Sequence, residues 1–384
     1  MTAADLDLVR AALGRTGAPA GPAEVAGAMR GLGMLVSETT VRSTVEALRR
    51  ESAGAGVLEP LLGLRGVTDV LVNGHERVYV DRGSGLESVE TVFADEGELR
   101  RLAVRLAAAV GRRLDEGSPF VDARLPDGTR VHAVLGNLTD VGTCLSLRVP
   151  ARVTLTLDDW VAGGTMHPRA AEALRALVAA RVAFLISGGT GSGKTTLLAG
   201  MLSLVDPAQR IVVVEDSREL SPAHPHVVRL EARPPNAEGA GEVGLAALVR
   251  QALRMRPDRL VVGEVRGAEL ADLLTALNTG HEGGCGTVHA NSTADVPARL
   301  EALAGLAGLP RRALHSLAAA ALDVLVHVQR VPGGGRWLSE LSVLEWAPAE
   351  GLCRPLPAWR FPERGDPVAG PGATALERLL RWSG

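Results

Sequence analysis

Lysine is almost absent from this chain: of 41 basic residues among 384, Lys194 is the single lysine and all the others are arginine. Cysteine is scarce too. Cys144, Cys285 and Cys353 are scattered with no Cys-x-x-Cys spacing, which excludes a disulfide framework and a cysteine zinc site and makes a reducing compartment the default. Aromatics make up only 3% and the formal net charge is -3. A general surface for single-stranded nucleic acid needs stacking rings and a basic groove, so stable nucleic-acid binding is not expected. No apolar run approaches the roughly 18 residues needed to cross a bilayer; the best candidates are broken by Arg181, His315 and Asp323. The acidic start, Met1 to Asp7, lacks the basic and apolar regions of a signal peptide. Any membrane association is therefore expected through a partner or the surface. What is present is an ordinary globular composition, 46% apolar and 22% charged, in a chain long enough for two domains with cores of their own.

Pattern changes divide the chain. Residues 1–55 read as a helical N-terminal segment, with Val41, Val45 and Leu48 on one helical face. Residues 56–150 read as a smaller α+β domain. Its signals are short β-rich runs, a hairpin at Gly74-His75-Glu76, a helix with Leu99, Leu102, Leu106 and Val110 at steps of three and four, and a turn at Pro126-Asp127-Gly128. Residues 151–165 read as a linker. Over 166–346, short apolar runs alternate with amphipathic helices, the pattern of an α/β domain with a mostly parallel sheet. Residues 347–384, rich in proline and glycine, read as a loose C-terminal extension ending in a short helix.

The lone lysine stands in Gly188-Gly189-Thr190-Gly191-Ser192-Gly193-Lys194-Thr195-Thr196, a complete G-x-x-x-x-G-K-[ST] phosphate loop. The apolar run Val182 to Ile186 precedes it and a helical pattern from Thr195 to Leu202 follows, the strand, loop, helix order that such a site requires. Glycines let backbone N–H groups turn inward on an anion, and the helix N-terminus adds partial positive charge at the same point. Lysine is a compact ammonium on a flexible stem, able to enter a cradle that a planar guanidinium would not fit. The motif assigns Lys194 to the β- and γ-phosphates of ATP and the Thr195 hydroxyl to Mg²⁺.

Further apolar runs of the same region also end in polar residues. Ile211 to Val214 leads into Glu215-Asp216, and Leu260 to Val262 leads through Gly263 into Glu264. ATP hydrolysis needs carboxylates to orient water and hold the hydrated metal; Glu215 suits a catalytic role of this kind, Glu264 suits the metal shell, water polarisation, or both, and either could be the general base. Arg266 reads as an ion-pair partner. His289, at the end of Gly286 to Val288, suits γ-phosphate sensing, and His281 in the preceding glycine-rich loop is a second candidate. Ligands of such sheets bind at the carboxyl ends of the strands.

These boxes in this order resemble the secretion-superfamily (type II/IV secretion) ATPases. The segments Asp69 to Val80, Arg124 to Val134 and Leu277 to Ser292 are most similar to the Tad (CpaF-like) pilus-assembly and conjugal-transfer branch. The missing four-cysteine module separates the chain from the type II secretion branch. The resemblance implies a RecA-like ATPase domain behind a smaller α+β domain, a homohexamer using ATP and Mg²⁺, and a cytoplasmic position at the inner face of the membrane beside a polytopic platform protein. It further implies that N-terminal-domain arginines reach the phosphates when the cleft closes; by position these are Arg148 and Arg124 or Arg130. The function implied is a motor for pilus assembly or protein secretion, the alternative being a conjugal DNA-transfer ATPase.

Overall fold

The computed structural model describes residues 5, 8–9, 11–13, 21–83, 85–90, 93–150, 154–233, 235, 240–280, 282–330 and 335–381. His281 lies outside them. The chain divides into two compact units, Met1–Pro150 and Ala151–Gly384.

In the first unit, helices Pro22–Gly31 and Glu38–Ala53 bury a small cluster that includes Val25, Met29, Val41 and Val45. A six-stranded antiparallel sheet follows, made of β1 (Asp69–Asn73), β2 (Val78–Asp81), β3 (Leu86–Val89), β4 (Phe120–Arg124), β5 (Arg130–Val134) and β6 (Cys144–Arg148). Its order is β3-β2-β1-β6-β5-β4. Strict alternation sets its faces: Val70, Val72, Val131, Ala133, Leu145 and Leu147 point into the core. Helix Glu96–Ala109, capped by the Asp95 side chain on the Glu98 N–H, closes that core with Leu99, Leu102 and Leu106. The other face carries charge. The β1–β2 hairpin turns at Gly74 (φ 69°) and β4–β5 at Gly128 (φ 91°), left-handed conformations that glycine adopts freely.

The second unit is built on nine strands: β7 (Phe184–Gly188), β8 (Ile211–Glu215), β9 (Val227–Glu231), β10 (Arg259–Val262), β11 (Cys285–His289), β12 (Val324–Arg330), β13 (Arg336–Ala347), β14 (Leu352–Arg360) and β15 (Val368–Ala369). The order is β15-β14-β13-β12-β7-β11-β10-β8-β9, with β12 through β9 in that order parallel and β13 to β15 antiparallel. Helices cover both faces, so the central strands are apolar in succession rather than in alternation: Phe184 and Ile186 enter one core while Leu185 enters the other. This is the α/β domain with a mostly parallel sheet that the sequence predicts.

Two stretches differ from their sequence reading. Residues 347–381 are not a loose extension: β14 and β15 continue the sheet, and the expected terminal helix, Ala373–Arg381, seats Leu376 in the core with Leu379 and Leu380 against it. One leucine fully buried in this way stabilises by about 1.5–3 kcal/mol. Within the expected linker, helix Leu157–Ala162 is closed by a reciprocal capping box of Thr156 and Asp159, and its Leu157 and Trp160 belong to the same core.

Candidate active site

The site grows from the carboxyl edge of the parallel strands. Strand β7 is buried along its whole length and delivers the loop to helix Lys194–Leu202. Gly191 and Gly193 have φ of 70° and 95°, conformations that turn successive N–H groups to one side. The helix N-cap is Gly193, with no side chain capping it, so the first N–H groups of the helix are left for an anion. Buried Ser192 Oγ has no hydrogen-bond partner. Unpartnered donors around a glycine cradle fit a polyphosphate.

Lys194 is only 6% exposed. Its ammonium donates to the carbonyls of Gly188 and Gly189 at 3.0 and 2.8 Å. Burial lowers its pKa, opposed by the negative charges of Glu264 and Glu219. Register then brings the histidine in: β11 pairs with β7 so that His289 lies opposite Gly188. His289 Nε2 is 2.9 Å from Glu264 Oε1 and 3.4 Å from Lys194 Nζ. Nε2 cannot donate to the carboxylate and accept from the ammonium together, and the shorter contact assigns an N–H to it, donating to Glu264. Burial and the Lys194 charge lower the His289 pKa, against the pull of Glu264, which favours the neutral ring. Glu264 also bonds Arg266, whose Nε reaches Asp216 Oδ2 at 3.1 Å. Lys194, His289, Glu264, Arg266 and Asp216 therefore form one connected chain of side chains, with Arg266 as the ion-pair partner its position suggests.

Glu215 stands apart from that chain. Its Oε1 accepts from the N–H groups of Glu219 and Leu220 at 3.0 and 2.8 Å, holding the turn after β8, while buried Oε2 has no partner. Burial pushes its pKa up to about 7, outweighing the two backbone hydrogen bonds. A folded value above that of an exposed carboxyl means that the group favours the folded state most below the ordinary carboxylate range and loses that contribution as pH rises through about 7. The same residue explains Gly263. A Cβ at position 263 would lie 2.5 Å from Glu215 Cγ, so a side chain there would have to displace the Glu215 carboxyl.

In the first unit, Arg124 pairs with Arg130 across β4–β5, Arg130 with Arg148 across β5–β6, and Arg148 with Asp69 across β6–β1. The three arginines thus form one row across the sheet, with Arg148 Nε 3.1 Å from Asp69 Oδ1. Two features of the second unit are not legible in the sequence. His327 of β12, buried behind the loop, holds Ser187 Oγ at 2.9 Å. Arg336 of β13 lies against Gly193. Among the described residues no group of three or more His, Cys, Asp or Glu could hold a metal, and no helix is long and apolar enough to cross a membrane.

A family model described as "Type II/IV secretion system protein" matches residues 51–331. A candidate conjugal transfer protein of Mycobacterium tuberculosis is 53% identical over 353 residues, covering 90% of this chain and 99% of that protein. The conjugal transfer protein TrbB of Rhizobium radiobacter is 31% identical over 284 residues, covering 73% and 84%. Among solved structures, the pilus retraction motor PilT with bound ADP superposes with a TM-score of 0.56 at 20% identity, covering 78% of this chain and 84% of that one; this likeness speaks to the fold.

Proposed function

As the chain belongs to the type II/IV secretion system protein family and is an ATP hydrolase of that family, we propose that it is a hexameric, Mg²⁺-dependent motor. It would power Tad-type pilus assembly or protein secretion from the cytoplasmic face of a membrane, docked on a polytopic membrane partner. The observation that carries the reading is the convergence of Lys194, His289 and Glu264 on the phosphate loop. Lys194 exchanges its loop carbonyls for phosphate oxygens. With no metal cage among the described residues, the Thr195 hydroxyl and Glu264 would hold Mg²⁺ together with the nucleotide's own oxygens, the usual way this small cation binds. Bound there, the metal neutralises charge on the transferred phosphoryl group. Glu264 polarises the attacking water, and the His289 N–H reports on the γ-phosphate through its bond to Glu264. Glu215 keeps the turn after β8 in place. Arg148 and Arg124 of the first unit are the proposed cations that stabilise the developing charge.

The names of the M. tuberculosis and R. radiobacter relatives favour a second reading, a conjugal DNA-transfer ATPase. Phosphate release measured with and without single- and double-stranded DNA separates the two. The motor of protein subunits predicts rates that DNA leaves unchanged. Several-fold stimulation by DNA that falls steeply with salt would put the second reading first.

A further inference from the structure

The phosphate loop has a second wall, and it holds a positive charge with no counter-ion among the described residues. Strands β12 and β13 pair with Arg330 opposite Arg336, beside β7 on the side away from β11. The end of this hairpin nearest its turn packs on the loop at two glycines. A Cβ on Gly188 would collide with the Val328 carbonyl, and a Cβ on Gly193 would lie 2.9 Å from Arg336 Cδ and 3.5 Å from its Nε. The stem of Arg336 therefore lies along the last residue of the loop before Lys194.

No hydrogen bond or ion pair engages the Arg336 side chain among the described residues. Burial lowers its pKa, and the neighbouring charge of Arg330 lowers it further, with no acid acting in the other direction. A half-buried guanidinium beside a second cation is unfavourable unless an anion joins it. On the opposite side of the loop, by contrast, Arg266 has Glu264 and Asp216 as partners.

We propose that Arg336 is a nucleotide-binding residue supplied by the same chain, its guanidinium contacting the phosphate chain of a nucleoside di- or triphosphate on the side of the loop opposite Glu264 and His289. The inference deepens the reading of the loop as an ATP site and rests on it. Two positions define the role. The γ end is marked by Lys194, His289 and Glu264 toward β11 and β10, so Arg336 on the β12 side serves the part of the phosphate chain that ADP and ATP share. It also sits in the same compact unit as the loop, already in place before any closure. Arg336 therefore acts on binding, whereas an arginine delivered by closure acts on the chemical step.

The test is equilibrium binding of fluorescent ADP and ATP analogues to the full chain, with steady-state ATP hydrolysis, for wild type, Arg336→Gln and Arg336→Lys. A hydrogen-bonded contact to a charged group predicts that Arg336→Gln weakens both nucleotides by roughly 10-fold or more. KM rises in parallel and kcat stays within about twofold, because the contact exists before and during the reaction. Arg336→Lys recovers part of the loss, since one ammonium keeps the charge but not the fork; if Arg336→Gln does not fold, a measurable loss in Arg336→Lys carries the same conclusion. Binding within twofold of wild type in every folded variant overturns the inference and leaves the ATP site standing. Loss for ATP alone, or a fall in kcat with binding unchanged, overturns the assigned position. Absence of nucleotide binding in the wild type overturns both the inference and the ATP reading beneath it.

Discussion

Replacing Lys194 by alanine is expected to reduce phosphate release from ATP by at least 10²- to 10³-fold, the scale of losing one preorganised charge at a developing anion, and to weaken nucleotide binding with it. The ammonium is nearly enclosed and held by the carbonyls of Gly188 and Gly189 inside the loop, a position that no side chain outside the loop reproduces. Lys194→Arg is expected to fail as well. The two carbonyls of Gly188 and Gly189 hold a compact ammonium, and a planar fork on a differently shaped stem does not reproduce that placement. Substantial turnover in either variant, measured by phosphate release at saturating ATP, would contradict the assignment of the loop.

The second large effect is expected at Glu264. Glu264→Gln keeps the shape of the side chain and an oxygen that can still accept from His289, but removes the charge that polarises water and pairs with Arg266. Turnover should fall by about 10²- to 10⁴-fold, the usual range for loss of a general base, while ATP affinity stays within roughly threefold of wild type. His289 favours the neutral ring, and with its one N–H on Nε2 it can donate to the amide oxygen as it does to the carboxylate. Single-turnover hydrolysis beside equilibrium binding separates the two quantities. A variant that binds normally and also turns over normally would transfer the water-polarising role away from Glu264, with Glu215 and its unpartnered, buried Oε2 as the next group to test.

Why these elements were legible in the sequence follows from what each depends on. The phosphate loop is local: strand, glycines, lysine and helix follow one another, so spacing alone identifies it. The apolar runs at 184–186, 211–214 and 260–262 are readable because helices cover both sheet faces and leave no polar alternate positions. Their polar ends mark the site because all these strands leave the sheet at the same edge. Contacts across strands are another matter. Position 263 admits no side chain for a reason that lies in Glu215, a residue of the neighbouring strand β8. Arg336 and His327 come from a hairpin far along the chain, with ordinary strand neighbours and no motif around them. The C-terminal stretch misleads through composition. Pro355 and Pro357 look like breakers, yet both sit in β14 opposite Leu344 and Ser342. The pairing of β14 with β15 is confined to Trp359 and Arg360, so the prolines occupy a nearly open edge, where a missing N–H costs little. The amphipathic pattern of helix Ala373–Arg381 then has a core to meet, which no local signal announces.

The most direct test of the phosphate-loop account is a crystal structure of the Glu264→Gln protein with Mg²⁺ and ATP. The account predicts the triphosphate inside the loop, its oxygens within hydrogen-bond distance of the N–H groups of residues 191–195, and Lys194 Nζ moved from the Gly188 and Gly189 carbonyls onto phosphate. A nucleotide bound elsewhere on the chain, with Lys194 still held by those two carbonyls, would contradict it.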